Sequence, residues 1–265
     1  MKAGIKCASV ILAAGEGTRM HSPLPKVLHP IAGKPMIEYV LDTVLGLGCG
    51  LNCVIVGFEK EKVMKALDRE PYSGRIEFVF QDRQLGSGHA VLQSKKIFSG
   101  FRGDVLVTCG DVPLLKLSTL GNLLELHRRE KNSATVLTAR VKNPSGYGRI
   151  VTDGRGGLCA IVEEKDASPA EKSIGVINTG IYCFNARELF SALDRVKPDN
   201  SKQEYYITDV IGIMRAGGKK TGISEVADIM EVSGINTPGQ LAEVQEYLLK
   251  NSGGRRNKTK CNTVN

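Results

Sequence analysis

The chain has 265 residues, 42% hydrophobic and 24% charged, enough for one large α/β domain with a substantial core and a small appendage. Its longest apolar runs are strand-length, well short of the roughly 18 residues that a spanning helix needs. The start MKAGIKCASVIL has no signal-peptide pattern, so a cytoplasmic protein without membrane contact is expected. The net charge of +8 points to an anionic partner, but Arg255, Arg256, Lys258 and Lys260 lie in an acid-free tail, which leaves only +4 on residues 1–252.

In chain order, Ala8 to Leu12 reads as a buried strand that runs into LAAGEGTRMHSPLPK, from Leu12 to Lys26. Gly15 and Gly17 let the backbone turn with its N–H groups converging on an anion. Arg19 adds a planar fork for phosphate oxygens and Lys26 a mobile point charge, a combination suited to a nucleoside triphosphate. A glycine turn after the first strand of an α/β protein is common, and many such turns bind nothing. No third glycine completes a dinucleotide fingerprint and no Gly-Lys-Ser/Thr closes a P-loop, which disfavours a dehydrogenase and an ATPase.

Helical patterns at Met36–Leu47, Lys60–Leu67, His89–Phe98 and Thr119–Lys131 alternate with strand patterns at Asn52–Val56, Ile76–Phe80 and Val105–Thr108. This alternation predicts a mostly parallel sheet covered by helices on both faces, with ligands beyond the carboxyl ends of the strands. The first turn and the loops after Phe80 and Thr108 should therefore meet at one rim. The loop QDRQLGSGHA offers two carboxamides, Gln81 and Gln84, and the small Gly86 and Ser87. It suits the edge of a pyrimidine, or is an ordinary loop with a capping serine. Asp111 in TCGDVPLL would hold a hard divalent cation beside phosphates, or cap a turn.

Beyond residue 131 the pattern changes. Ala134–Arg140, Arg149–Thr152, Leu158–Glu163 and Gly175–Phe184 read as strands with few helices between them, which predicts a mixed sheet with an antiparallel flap for a second substrate. Helices at Ala186–Leu193 and Thr208–Ala216, short strands at Ile223–Val226 and Ile229–Val232, and a helix at Pro238–Lys250 with Thr237 as N-cap complete the sequence of elements. The tail SGGRRNKTKCNTVN is polar and without periodicity, so it is expected to be disordered and solvated, with no nucleic-acid partner. No internal repeat is present.

The seven cysteines are odd in number and scattered, and read as buried free thiols. Cys49 and Cys53 lack the second Cys or His pair of a zinc site. The four histidines are isolated and read as loop or core residues.

The stretch Val10 to Pro35 resembles the signature of sugar-phosphate nucleotidylyltransferases. LPKVLHPIAGKPMIEYV is similar, more narrowly, to the uridylyltransferase (pyrophosphorylase) domain of bacterial N-acetylglucosamine-1-phosphate uridylyltransferases. Further matching fragments are GYGR at 146–149, IVEEKDA with Glu163, Asn178-Thr179-Gly180, EYYITD at 204–209 and VSGIN at 232–236, so the resemblance covers about residues 8 to 250.

The resemblance implies a Rossmann-like nucleotide-diphospho-sugar transferase fold, with residues 1–236 as the nucleotidylyltransferase domain, 237–251 as a C-terminal helix and 252–265 as the tail. It implies uridylyl transfer from UTP to N-acetylglucosamine 1-phosphate with Mg²⁺, by in-line attack on the α-phosphorus. It assigns Leu12, Ala13, Gly15, Gly17, Lys26, Gln81, Gln84, Gly86 and Ser87 to the nucleotide, and Gly148, Glu163, Asn178, Tyr206 and Thr208 to the sugar phosphate. Asp111 and Asn236 take the metal, and Arg19 and Lys26 are the catalytic cations. Cys109 departs from the family, in which tyrosine or another polar residue is common. A glucose-1-phosphate uridylyl- or thymidylyltransferase and a non-catalytic nucleotide-sugar-binding subunit are the alternatives. The β-helix that acetylates glucosamine 1-phosphate in the bacterial enzymes is not present in the sequence, so neither that activity nor a β-helix-driven trimer is expected. Any homo-oligomer would form in another way.

Overall fold

The computed structural model describes residues 6–252. Strand β1 (Lys6–Ala13) is followed by short 3₁₀ turns at Thr18–Met20 and Lys26–Leu28 and a small hairpin of β2 (Pro30–Ile31) and β3 (Lys34–Pro35). Then come α1 (Met36–Gly46), β4 (Leu51–Val56), α2 (Lys60–Leu67), β5 (Glu77–Phe80), α3 (Ser87–Gln93), β6 (Gly103–Cys109) and α4 (Leu117–Arg129). The second half contains β7 (Ala134–Arg140), β8 (Arg149–Thr152), β9 (Leu158–Val162), α5 (Pro169–Lys172), β10 (Val176–Asn185), α6 (Ala186–Leu193), α7 (Asp209–Ala216), β11 (Thr221–Val226), α8 (Ile229–Val232) and α9 (Pro238–Ser252).

The main sheet runs β11-β7-β10-β6-β1-β4-β5, with β8 and β9 attached to β10. Strands β6, β1, β4 and β5 are parallel, and β10 runs antiparallel to both of its neighbours in the main order, β6 and β7. The central strands are buried on both faces, as their continuous apolar runs require. Ala8, Val10, Cys53, Ile55, Val105 and Val107 point into one core, while Ile11, Ala13, Val54, Val56 and Leu106 point into the other. The period of two divides each strand between helical layers. Helices α3, α6 and α7 cover the first face through Val91, Leu189, Phe190 and Ile211, and α1, α2 and α4 cover the second through Val40, Val44, Leu67 and Leu123. A third, small core of Ile31, Met36, Ile235 and Val244 joins α9 to the β2–β3 hairpin.

The expected mixed sheet and flap are present, and one element needs correction. Ile229–Val232, expected as a strand, is a single helical turn. Asp228 Oδ1 accepts from the backbone N–H of Met230 at 3.0 Å, and Ser233 Oγ returns to the Ile229 carbonyl at 2.8 Å. Strand β11 already lies at the sheet edge and its register with β7 ends at Val226, so a further strand there has no partner. Two further short elements have no counterpart in the sequence pattern: the β2–β3 hairpin, with Ala32 and Gly33 both at positive φ, and α5, which Ser168 and Glu171 close in a reciprocal capping box. Strand β10 carries a register shift between Asn178 and Ile181, with Gly180 at φ +77°. The basic tail lies outside the described residues.

Candidate active site

The carboxyl ends of β1, β5 and β6 bring three motif loops together. The Leu12 carbonyl accepts from Gly110 N–H at 2.9 Å, which ties the first turn to the loop carrying Asp111. The Ala14 carbonyl accepts from Phe58 N–H and from Gln84 Nε2, both at 3.1 Å, so the glycine turn and the glutamine loop are one hydrogen-bonded unit. Gly17 adopts the left-handed conformation (φ +69°), and a Cβ there would fall 2.5 Å from the Cβ of Lys26. Both facts demand glycine, and the second shows that Lys26 packs its stem across the turn. A Cβ at Gly15 would meet open space, which leaves the backbone of the turn accessible from outside.

Arg19, Lys26, Asp111 and Asn236 converge. The Lys26 ammonium donates to Asp111 Oδ2 and, at 3.0 Å, to Asn236 Oδ1, which also accepts from Arg19 Nη2 at 3.0 Å. A backbone bond builds this juxtaposition: Ile235 N–H donates to the Asp111 carbonyl at 2.9 Å. Asp111 is 8% exposed, whereas Arg19 projects into solvent. The carboxylate and the carboxamide oxygen thus already share one cation. Among the described residues no group of three or more His, Cys, Asp or Glu could hold a metal ion, so a divalent cation here would draw its remaining oxygens from phosphate and water.

The glutamine loop is held from behind. Gly86 sits at φ +108°, where a Cβ would strike the Tyr205 carbonyl at 2.6 Å. Gly88 N–H donates to the Tyr205 carbonyl at 2.7 Å, Tyr205 N–H to the Leu85 carbonyl at 2.8 Å, and Ile207 N–H to Ser87 Oγ at 3.1 Å. Ser87 therefore locks the loop onto the segment that carries Tyr206 and Thr208. Gln81 is buried, and its Nε2 donates to the Gly86 carbonyl at 3.0 Å and lies 3.1 Å from His89 Nδ1. The carbonyl acceptor fixes the orientation of this amide, and its two N–H groups are occupied on the protein side. Burial keeps the His89 pKa below its usual value, which favours the neutral, accepting ring.

The third group lies on the flap. Asn178 N–H donates to the Gly148 carbonyl at 2.8 Å, and a Cβ on Gly148 would lie 3.4 Å from Asn178 Cβ and 3.6 Å from Glu163 Oε1. Thr208 donates to Glu163 Oε1 at 3.2 Å. Burial raises the Glu163 pKa above the usual carboxylate range, and nearby Asp166 and Glu204 add to this against the hydrogen bond from Thr208. Asp209 is pushed up to about 6, first by burial and then by Glu163 and Asp166. Tyr206 is buried and Asn178 is committed within the protein, donating from Nδ2 to Tyr182 Oη at 2.8 Å and accepting at Oδ1 from Gly180 N–H at 3.1 Å. Cys109 lies between the halves: a Cβ on Gly180 would be 3.4 Å from its sulfur, and burial pushes its thiol up to about 12.

Of the residues named from the sequence, Ala13 has its side chain in the core at the end of β1, and the others lie in these three groups. The sequence reading missed His89 beside Gln81, Asp209 beside Glu163, and Arg149. The last is 1% exposed and anchors the flap by pairing with Glu164 Oε2 at 2.6 Å and donating to the Tyr147 carbonyl. A groove of about 1630 Å³, lined by residues such as Lys6, Lys96, Phe98, Phe101, Arg102 and Arg187, opens at the opposite rim and shares none of the site residues.

Known proteins are similar to this chain. The bifunctional protein GlmU of Pelotomaculum thermopropionicum is 48% identical over 241 residues, and that of Gloeothece citriformis 45% over 241 residues. Each alignment takes in 91% of this chain and 52% of the relative, so the chain spans about half the length of the curated relatives it matches. A crystal structure of UDP-glucose pyrophosphorylase complexed with UDP-glucose superposes with a TM-score of 0.76 at 20% identity, over 94% of this chain and 100% of that one, which establishes the shared fold. The sequence model described as Nucleotidyl transferase matches residues 8–229, from the first strand of the sheet to beyond the last. The chain belongs to the nucleotidyl transferase family.

Proposed function

We propose that this chain transfers the uridylyl group of UTP to N-acetylglucosamine 1-phosphate, releasing pyrophosphate and forming UDP-N-acetylglucosamine. The observation that carries the reading is the convergence of Asp111, Asn236, Lys26 and Arg19 on one point beside an accessible glycine turn. The identity of 45 to 48% with GlmU proteins across 91% of the chain supports the choice of donor and acceptor. The proposal concerns the uridylyl step alone, since the chain spans half of those relatives.

The turn from Leu12 to Gly17 receives the triphosphate on its N–H groups, and Arg19 and Lys26 neutralise the leaving pyrophosphate. Gln81 offers its free carbonyl oxygen to the base. Uracil presents an N3–H donor there and cytosine an acceptor, so this amide favours UTP over CTP. Glu163 and Gly148 receive sugar hydroxyls, while Asn178, held by Tyr182 and Gly180, keeps the flap in shape. The acceptor phosphate, with a second pKa near about 6, is already an anionic nucleophile at neutral pH, so no general base is required. The protein's work is to hold two polyanions in line and stabilise the charge that builds on transfer.

The residues present fit Mg²⁺, since Asp111 and Asn236 already direct oxygen atoms at one ammonium. They would hold the ion, which when bound supplies positive charge against the α-phosphate and the acceptor phosphate. Lys26 would then exchange Asp111 for phosphate oxygens. Among the described residues no helix is long and apolar enough to cross a membrane, and we place the reaction in the cytoplasm.

The test is a panel of nucleoside triphosphates against sugar 1-phosphates, with pyrophosphate release as readout. UTP with N-acetylglucosamine 1-phosphate should give the highest kcat/KM. A preference for glucose 1-phosphate or dTTP would move the chain to another member of the family, and release with no pair would favour a binding subunit.

A further inference from the structure

Two thiols meet at the amino-terminal end of the sheet, away from the rim described above. Cys7 lies near the start of β1 and Cys49 in the loop between α1 and β4, and their sulfur atoms are 2.7 Å apart, against about 2.05 Å in a disulfide. The backbone sets this approach. Gly50 N–H donates to the Cys7 carbonyl at 3.0 Å, immediately before the parallel pairing of β1 and β4 begins at Ala8 and Leu51. Both side chains lie on the same face of the sheet.

We propose that Cys7 and Cys49 form an oxidation site, at which a peroxide closes a reversible disulfide between β1 and the α1–β4 loop. The two sulfurs share one hydrogen-bonded proton, so either thiol can be oxidised first and the other resolves it. Cys49 is 9% exposed and Cys7 half-buried, which admits a reagent as small as hydrogen peroxide.

The thiolate of one cysteine attacks one peroxide oxygen and the O–O bond breaks. This gives its sulfenic acid and a hydroxide that takes up the proton released from that thiol and leaves as water. The sulfur of the other cysteine then attacks the sulfenic sulfur, and the departing hydroxide takes its proton. Two thiols and one peroxide yield one disulfide and two waters, the sulfurs being oxidised and the peroxide reduced. Cys183, the third thiol close to this pair, is fully buried, and burial raises its pKa, as it does that of Cys53. Neither competes as a nucleophile.

The covalent loop would run from residue 7 to residue 49 and enclose the glycine turn, Arg19, Lys26 and all of α1. Closing a loop of that length restricts the unfolded chain, and for a domain of this size a rise in Tm of about 8 °C is expected.

The test treats the full, reduced and desalted chain with stoichiometric hydrogen peroxide. Titratable thiols under denaturing conditions should fall from seven to five. Peptide mapping should find one cross-link, Cys7 to Cys49, with loss of two hydrogens, and Tm should rise. Dithiothreitol should reverse all three changes. Cys49→Ser and Cys7→Ser should each abolish the cross-link and the rise in Tm, and the remaining thiol of the pair should accumulate sulfenic acid that a dimedone probe captures. Circular dichroism confirms that both variants fold. Seven persisting thiols, oxygen added to either sulfur without a cross-link, or a cross-link to Cys183 or Cys261 would overturn the proposal.

Discussion

The two sides of the rim solve opposite electrostatic problems. On the β1 and β6 side, Arg19 and Lys26 are gathered around one buried carboxylate, and the surplus charge is positive. On the flap and the segment that leads into α7, Glu163, Asp166, Glu204 and Asp209 press on one another, and two of these carboxylates titrate above their usual range. The first side suits a triphosphate and a leaving pyrophosphate. The second suits hydroxyl groups, which a carboxylate can accept from without competing for phosphate. Placing the negative charge on the flap also keeps a second polyphosphate out of the sugar pocket.

The largest losses are therefore expected on the basic side. Lys26→Ala and Asp111→Ala should each lower kcat by about 10³-fold or more, the scale on which a preorganised electrostatic contact acts. Circular dichroism should stay unchanged, because the backbone bond from Ile235 to the Asp111 carbonyl survives both substitutions. Near-normal pyrophosphate release in either purified variant would break the assignment. A sharper test uses the lysine itself: removing the ammonium that occupies Asp111 and Asn236 should tighten Mn²⁺ binding to the nucleotide-free protein. Lys26→Met is expected to lower the Kd for Mn²⁺, read by electron paramagnetic resonance, by about tenfold, the effect of one like charge at short range. An unchanged Kd would mean that Lys26 does not guard the cation position.

How much of this was legible in the sequence also differs between the two sides. The strands and helices of the parallel half follow directly from apolar runs bounded by turns, and Gly17, Lys26 and Asp111 stand in short, distinctive motifs. Residue types alone leave Gln81 and Asp111 undecided between ligand and turn. Asn236 is brought to Asp111 by the backbone bond from its neighbour Ile235 to the Asp111 carbonyl, between residues far apart in sequence, for which no local pattern exists. His89 looked isolated because its partner, Gln81, belongs to the preceding loop. Arg149 was read as part of a binding fragment, but it is buried against Glu164, a pairing that depends on the β8–β9 turn. Cys49 was compared with Cys53, its neighbour in sequence, although its neighbour in space is Cys7. The failed strand at Ile229–Val232 shows the same limit, since β-branched residues form a strand only where a partner strand is available.

The flap should respond more gently. Glu163→Gln is expected to raise KM for the sugar 1-phosphate by about 10-fold to 100-fold, the loss of one or two charge-assisted hydrogen bonds, and to leave KM for UTP unchanged. Because its pKa is raised, Glu163 loses its charge at a higher pH than an ordinary glutamate. The wild-type KM for the sugar should therefore climb as pH falls through that raised value, and Glu163→Gln should flatten the profile. Gln81→Ala should reduce the preference for UTP over CTP by about tenfold, the worth of one oriented hydrogen bond, and also weaken both nucleotides together by releasing the Gly86 carbonyl.

The smallest effect tests the flap's charge crowding through stability. The Asp209 pKa lies at about 6 in the folded chain against 3.8 for the free group, so the folded state binds the proton more tightly. Its burden on stability is absent below about pH 4, grows as pH rises through that window, and is complete above about pH 6. Asp209→Asn should therefore match wild type at pH 4 and exceed it at pH 7. The full shift would correspond to about 3 kcal/mol. Asp209 is half-buried, which reduces this through solvent screening, and it lies in the first turn of α7, where a negative charge is favoured by up to about 1 kcal/mol. A net gain of about 1 kcal/mol remains, or about 2 °C in Tm at pH 7 for a chain of this length. Equal melting temperatures for the two proteins from pH 4 to pH 7 would show that these carboxylates are solvated separately, and the contrast between the two sides of the rim would then rest on the cations alone.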